Sequence, residues 1–559
     1  MTAQSSKLGS AELSVASREE EKLSVTEKVG YGLGDTASNL YWKLFEYFLL
    51  YFYTDVFGIS SKAAGTMLLV TKIWDAMNDP MMGYIADRTR TTWGRFRPYL
   101  LWMSVPLAIT GVLTFYVPDL SPGGKLAYSY VTYTLVMMAY TAINIPYGAL
   151  MGVITPNSLE RTSVSTYRFV AAFIGGIVVQ SFTLSLVNWF GRTGQVNQAG
   201  DAIVSEQAGF FWTVLLFSLV ACVLFTVTFL TTRERVQPEV SQPSTFREDL
   251  RFVTTSFKLH QIILVGLSLL VALSFAFDPK VLTWVGGCYL ALSALSLIAT
   301  KTMQPQGSAA AGISSLENDF NDLLGNRPWL VLFFFGLFQL IAAFLRGGAT
   351  LYYFKYFVGD DRWTSAFLVA GSLAAIAGML LTRQMTALFG KKLLMIYMNI
   401  GTAICTALLY FVAPSQIWLM FALHIVGAFI SGPSPVLLWA MYADVADYSE
   451  WKFRRRATGL VFSAATFSQK MGCALGAAMT GWVLGWIGYQ QPVAGVAVQQ
   501  SDVTLFGLRV MMSLVPAAFL VAAAACVVFY EISQQLASVI EADLKSRRSA
   551  EPSSGGASS

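Results

Sequence analysis

The sequence predicts an all-α polytopic membrane protein, and three observations carry that prediction. Of its 559 residues, 55% are apolar and only 13% are charged, against roughly 25% charged in a soluble domain. Mean hydropathy is +0.54, an apolar excess that soluble cores do not absorb, because they still need a polar surface. The apolar residues fall in long runs divided by short polar links. The alternating segments of about ten residues that mark a lipid-facing β-barrel are missing.

The same numbers exclude a soluble enzyme, a disordered chain, a disulfide-built secreted domain and a soluble nucleic-acid binder. Net charge is only +5, which points to no polyanion partner. Cys222, Cys288, Cys405, Cys473 and Cys526 all lie in apolar runs without a CxxC pair and read as small packing residues. His260 and His424 are far apart and lack metal-ligand spacing. No Walker-type loop or dinucleotide fingerprint appears, so no cofactor is expected and the chain is not read as an enzyme.

A hydrocarbon core of about 30 Å needs roughly 20 apolar residues in a helix. By that measure, spans fall at 33–57, 63–86, 97–116, 126–155, 164–190 and 208–232. Two shorter runs, 261–277 and 281–300, form an extra hairpin about Asp278-Pro279-Lys280. Six more spans follow at 329–357, 364–388, 392–412, 415–444, 457–489 and 503–533. The predicted organisation is a tail over 1–28, a six-helix bundle over 29–235, a linker with the hairpin over 236–328, a second bundle over 329–534 and a tail over 535–559. Six, two and six make fourteen.

Basic residues orient the chain. With both tails cytoplasmic, the inside links hold Arg88, Arg90, Arg95, Arg97, Arg161, Arg233, Arg235, Lys391, Lys392 and Lys452, while the opposite links are mainly acidic. The expected location is the cell membrane, a bacterial inner membrane. The two halves echo each other. Pro146 near the end of the fourth span has a counterpart in Pro435 near the end of the tenth, and the link Asp87 to Arg95 has a degraded counterpart at Arg383 and Gly390-Lys391-Lys392. Such repeats place a site at their interface, opened alternately to each side. Asp87, Arg88, Arg90 and Arg95 are expected to form a gating latch at the cytoplasmic end.

Charges inside hydrocarbon are costly and mark function. Asp75 and Asp79 are four apart and share a helical face, with Asn78 beside them. Two carboxylates and an amide oxygen are hard ligands for a small monovalent cation, to which Thr141 on another span adds a hydroxyl; a proton competes for the same place. Asn39, Lys43 and Glu46 line one face of the first span, where Lys43 either contacts substrate or pairs with Glu46. Asn144 before Pro146 suits a hydroxylated ligand, and Arg168 suits a bridge between ligand and carboxylate. Trp439 offers an aromatic face to a sugar ring. Lys470 is a lone charge in an apolar run. Arg346 and Lys355 are weaker candidates.

These residues sit in motifs that resemble a known family. Gly30-Tyr31-Gly32-Leu33-Gly34-Asp35, Tyr53-Thr54-Asp55-Val56-Phe57-Gly58, Trp74-Asp75-Ala76-Met77-Asn78-Asp79-Pro80, Gly94-Arg95-Phe96-Arg97-Pro98 and Ala443-Asp444-Val445-Ala446-Asp447-Tyr448 resemble the glycoside–pentoside–hexuronide:cation symporters, the melibiose-permease group of the major facilitator superfamily. The likeness spans roughly 28–235 and 318–530. It implies a major facilitator fold, here with 6+2+6 transmembrane helices, and inward transport of a small-molecule sugar or glycoside coupled to Na+, H+ or Li+. It implies cation-site positions at Asp75, Asn78, Asp79 and Thr141, and sugar-site or coupling positions at Arg168, Trp439 and Lys470. The melibiose permeases carry Asp where Asn39 and Asn144 stand, and Trp where Gly148 stands. An amide donates as well as accepts, so these departures point away from a galactoside; with the room at Gly148 and the positive group of Lys43 they suit a bulkier glycoside or a uronate, the uronate only if Lys43 is not paired with Glu46. The alternative is a same-fold cation-coupled carrier of a hexuronide, a lysolipid or another organic solute. The bilayer is the expected partner, nucleic acid is not, and one monomer supplies both halves.

Overall fold

A chain that crosses hydrocarbon must satisfy its backbone polar groups internally, which makes long helices the expected element. The computed structural model describes residues 22–155, 157–196, 202–236, 324–453, 458–492 and 498–550. Its elements are α1 (Val25–Leu44, continuing through π-turns Phe45–Leu49 and Phe52–Val56), α2 (Ser61–Arg88), α3 (Arg97–Trp102), α4 (Ser104–Thr114), α5 (Pro122–Val153), α6 (Ser158–Phe190), β1 (Arg192–Val196), β2 (Ala202–Val204) and α7 (Glu206–Thr231). Then come α8 (Arg327–Tyr352, continuing through a π-turn, Tyr353–Val358), α9 (Trp363–Leu380), α10 (Thr382–Leu408), α11 (Ile417–Ser431), α12 (Ser434–Phe453), α13 (Thr458–Trp486), α14 (Asp502–Met512), α15 (Leu514–Val528) and α16 (Gln534–Ala550).

Eight helices among the described residues are long and apolar enough to cross a membrane, so the fourteen-span count is met only in part. The physical reason is local. α1 carries Asp35 and Lys43, and α2 carries Lys72, Asp75 and Asp79, inside otherwise apolar runs. The third predicted span, made of α3 and α4 with 6 and 11 residues either side of Met103, is short and opens on Arg97 and Pro98. The hairpin at 261–300 lies outside the described residues. The sequence reading did not anticipate the antiparallel β1–β2 ribbon after α6, whose strands have only 5 and 3 residues. Nor did it anticipate α16, which occupies the stretch assigned to a tail. Ile540 and Leu544 are buried there, and Trp451 Nε1 donates to Asp543 Oδ2 at 2.8 Å.

The contacts divide the chain into two units. One comprises Met1–Glu239, Gly347–Ser372 and Leu484–Arg509; the other comprises Val240–Arg346, Leu373–Val483 and Val510–Ser559. In the first, the glycines of Gly30-Tyr31-Gly32-Leu33-Gly34 let α1 approach its neighbours. A Cβ on Gly32 would stand 3.0 Å from the Tyr167 carbonyl oxygen on α6, and one on Gly34 would stand 2.6 Å from the Tyr147 ring on α5. Tyr31 and Tyr147 stack at 4.7 Å, and each hydroxyl donates to the other's backbone carbonyl, at 3.0 and 2.7 Å. Both rings are fully buried, and stacking of this kind adds about 0.5–1.5 kcal/mol beyond burial.

The charged end of this unit is tied by carboxylates that the sequence reading passed over. Glu234 accepts from the backbone N–H groups of Arg95, Phe96 and Arg97 at 2.8, 2.8 and 3.0 Å, satisfying donors at the start of α3. Gly94 makes this wrap possible: its φ is +111°, and a Cβ would meet the Glu234 carboxylate at 2.4 Å. Arg235 forks onto Glu27 at 2.7 and 2.9 Å. Glu160 holds Lys28 Nζ at 2.8 Å and the Leu23 N–H at 3.0 Å.

The hydrogen bond from Lys28, followed by the smaller effects of Leu23 and nearby charge, holds the Glu160 carboxyl below its ordinary value. A lowered carboxylate contributes its stabilisation fully above the unfolded pKa and loses it as pH falls through the folded one. A spin label on Val25→Cys is therefore expected to gain mobility as pH drops below about 4.3. Glu160→Gln should show that mobility already at pH 7; a label insensitive to both changes refutes the tie.

In the second unit, one apolar core joins α8, α10, α12, α13, α15 and α16 through residues such as Trp329, Met395, Tyr442, Val461, Val527 and Leu544. Tyr442 donates to the Leu332 carbonyl at 3.1 Å. Lys391 pairs with Asp444 at 2.6 Å. Gly390 takes a φ of +72° and kinks α10, the same left-handed setting as Gly94 in the link it echoes.

Candidate transport site

The residues expected to form a cation site come from two helices that pack together, α2 and α5. Asp75 is 2% exposed. Thr141 Oγ1 lies 2.6 Å from Asp75 Oδ1 and 3.2 Å from Asp79 Oδ1. A hydroxyl has one proton, so it does not serve both carboxylates at once, but its two lone pairs suit a bound cation. Lys72 Nζ is 3.9 Å from Asp75 Oδ2 and 4.7 Å from the centre of the Trp42 ring. Asn78 is half-buried on α2, and its amide makes no hydrogen bond among the described residues. Asp75, Asp79 and Thr141 are thus brought together, with Asn78 on the same helical turn.

The polar residues of α1 lie alongside. Arg168 Nε donates a short hydrogen bond to Asp35 Oδ2, and its guanidinium sits 5.3 Å from the centre of the Tyr147 ring. Asn39 Nδ2 donates to the Asp35 carbonyl at 2.9 Å. Asn144 is held at both ends: Ser38 Oγ donates to its Oδ1 at 2.8 Å, and its Nδ2 donates to the Tyr140 carbonyl at 3.0 Å. Lys43 is paired with Glu46 at 2.7 Å, the second of the two contacts the sequence left open. Trp42 stacks near Tyr140 at 6.2 Å, linking the α1 group to the α2–α5 pair.

Trp439 and Lys470 lie in the other unit, on α12 and α13. Trp439 is 36% exposed and meets Tyr442 edge-on at 6.0 Å; Lys470 is half-buried. Arg346 Nη2 and His424 Nδ1 are 3.0 Å apart. Of the latch residues, Asp87 and Arg88 close α2, Arg90 is exposed and Arg95 is half-buried, with its backbone N–H on Glu234.

A second polar group was missed. Asp55 Oδ1 accepts from Tyr356 and Tyr489 hydroxyls, both at 2.6 Å, and Asp55 Oδ2 accepts from Thr54 Oγ1 at 2.7 Å. Thr54 Oγ1 also meets Tyr352 OH at 2.6 Å. Beside it, Lys355 bonds both Tyr51 OH and Glu206. This seam joins the end of α1 to the end of α8. The signal was present: residues 51–58 and 352–359 are both aromatic runs, both wind as π-turns and both stop at a left-handed glycine, Gly58 at φ +85° and Gly359 at +82°. Helical π-turns concentrate at functional sites.

The chain matches the family described as MFS/sugar transport protein over residues 30–279 and 267–534. It belongs to that family. Two relatives from Escherichia coli (strain K12) place it further. It is 33% identical to the putative glycoside/cation symporter YagG and 30% identical to the inner membrane symporter YicJ, each over 89% of both chains. The chain is therefore a secondary-active sugar or glycoside symporter of the glycoside–pentoside–hexuronide group, a multi-pass membrane protein and not an enzyme. Its fold is similar to that of a solved proton dependent oligopeptide transporter, with a TM-score of 0.56 at 13% identity over 92% of this chain and 99% of the other. Among the described residues, no three His, Cys, Asp or Glu side chains cluster as a metal site. The symporter's candidate ion position instead uses two carboxylates and a hydroxyl.

Proposed function

We propose that this symporter takes up a sugar or glycoside together with one Na+, for which H+ and Li+ are the alternatives, through two six-helix halves at 29–235 and 329–534 that rock about a central site. The observation that carries this reading is the hydroxyl of Thr141 set between Asp75 and Asp79 from a second helix. A cation arriving there offsets the repulsion of the two carboxylates, turns the Thr141 lone pairs inward and uses the Asn78 oxygen. Trp42 and Tyr140 carry the change to the α1 face, where Asn39, Asn144 and Arg168 bind sugar, completed by Trp439 and Lys470, and Lys43 joins them only on leaving Glu46. In this reading both termini are cytoplasmic and a monomer suffices. Asp87, Arg88, Arg90 and Arg95 latch the cytoplasmic end, the Asp55 seam closes the outer end, and the full span count is 6+2+6.

If cation tightens sugar binding, sugar must tighten cation binding by the same factor. Binding of a panel of p-nitrophenyl glycosides to the purified protein in proteoliposomes, with Na+ varied at fixed pH and pH varied at fixed Na+, tests this. The expected result is at least one glycoside whose affinity rises about tenfold with cation. Affinity independent of Na+, Li+ and pH across the panel sinks the coupling.

A further inference from the structure

We propose that Asp35 is a positioning residue of the sugar site: it holds Arg168 and cancels its charge, so that the site accepts an uncharged glycoside and rejects a uronate. The inference rests on the transport reading above and narrows its substrate class.

Three basic groups lie well inside the helices of the first half, and each has a carboxylate at ion-pair distance. Lys43 has Glu46 at 2.7 Å, Lys72 has Asp75 at 3.9 Å, and Arg168 has Asp35 in a short hydrogen bond. Asp79 stands beside the Lys72–Asp75 pair, across the Thr141 hydroxyl, and Asp55 lies apart, held by the Tyr356 and Tyr489 hydroxyls. Within the Arg168–Asp35 pair the two charges cancel, so a neutral sugar meets no unmatched charge there. A uronate adds a negative charge within hydrocarbon, where an uncompensated charge is costly.

The geometry gives Asp35 its specific part. Its side chain is 10% exposed and lies beneath the guanidinium, whose side chain is 31% exposed. Asp35 engages the Nε edge of Arg168. The two terminal nitrogens, which have no hydrogen-bond acceptor among the described residues, are left to donate to sugar hydroxyls. Tyr147 supports the plane of the guanidinium from a third helix, with its centre 5.3 Å from the ring, and the Asp35 carbonyl also takes the Asn39 amide at 2.9 Å. One residue thereby orients two of the groups expected to bind sugar. Arg–carboxylate pairs of this kind are directional, so shifting the carboxylate shifts the donors.

The test compares probes that differ only at C6, p-nitrophenyl β-D-glucoside and β-D-glucuronide, with the β-D-xyloside as a smaller neutral probe, each at saturating Na+. Wild type is expected to prefer a neutral probe by at least about tenfold. Asp35→Asn leaves Arg168 uncompensated and is expected to move that preference toward the glucuronide by about tenfold or more. Asp35→Glu keeps the charge but displaces it, so the neutral preference persists with weaker binding. A wild type that prefers the glucuronide, or binds none of the probes, overturns the proposal. So does an Asp35→Asn protein with an unchanged preference. Where that variant does not fold, an Asp35→Glu protein with wild-type affinity overturns it instead. The Na+ dependence of the wild type is read separately: its absence refutes the symport reading, whatever the preference between probes.

Discussion

Asp75→Asn should abolish cation stimulation of glycoside binding and of gradient-driven uptake, while leaving the protein folded. The argument is one of charge in a confined place. Asp75 is almost fully buried and faces Lys72 at 3.9 Å and the Thr141 hydroxyl at 2.6 Å. An Asn of the same shape still accepts from Thr141, so the α2–α5 contact survives. What disappears is one of two negative ligands for the ion, together with a compensating charge for Lys72. A contact to a charged ligand contributes about 1.5–3 kcal/mol, so cation affinity should fall by up to ~150-fold. Sugar binding in saturating Na+ should fall with it, because the coupling is reciprocal. Thr141→Ala, which removes a ligand without removing charge, should have a smaller effect, about tenfold. Isothermal titration of Na+ and of a glycoside in the same detergent distinguishes these outcomes. An Asp75→Asn protein that still binds Na+ with wild-type affinity would falsify the assignment.

The parts of this design that were legible in the sequence share a property: each is a local departure from an apolar background. Asp75 and Asp79 stand four apart in a membrane-length helix, so their common face follows from helical pitch alone. The structure puts Thr141 of another helix against both. Lys43 and Glu46, three apart, left two readings open, and only packing settles that they meet. Asp35 was visible as a polar residue, but its partner lies 133 positions away on α6, beyond the reach of any local pattern. Glu234 was hidden for a different reason. Its ligands are backbone N–H groups of Arg95 to Arg97, and backbone donors leave no mark in a sequence. Sequence patterns within a helix thus survive translation to structure, whereas pairings between helices have to be seen.

The Asp55 seam carries the second large expectation. Its carboxylate accepts three hydroxyl hydrogen bonds, at 2.6, 2.6 and 2.7 Å, two of them from Tyr356 and Tyr489, more than 300 positions away along the chain. A hydrogen bond to a charged acceptor contributes about 1.5–3 kcal/mol, against about 0.5–1.5 kcal/mol for a neutral one. Asp55→Asn converts the strong kind to the weak kind at two or three contacts, a loss of about 2–3 kcal/mol in the closed state alone. When the seam opens, the carboxylate regains water, so the open state does not share the loss. The equilibrium between the two should therefore shift toward opening by roughly 30- to 150-fold. Spin labels at Ser60 and Arg362, which flank the seam on exposed positions, should report a longer distance population in Asp55→Asn than in wild type. Tyr356→Phe deletes one donor and leaves the charge, so its shift should be smaller, near tenfold. The neighbouring tie of Lys355 to Glu206 and Tyr51 adds a second, separable contribution, and Lys355→Gln combined with Asp55→Asn should open the end further than either change alone. Because transport needs this end to close as well as open, the double variant should exchange sugar more slowly than wild type even where its affinity is unchanged. Identical distance distributions in wild type and the double variant would show that the seam is a structural contact and not a gate.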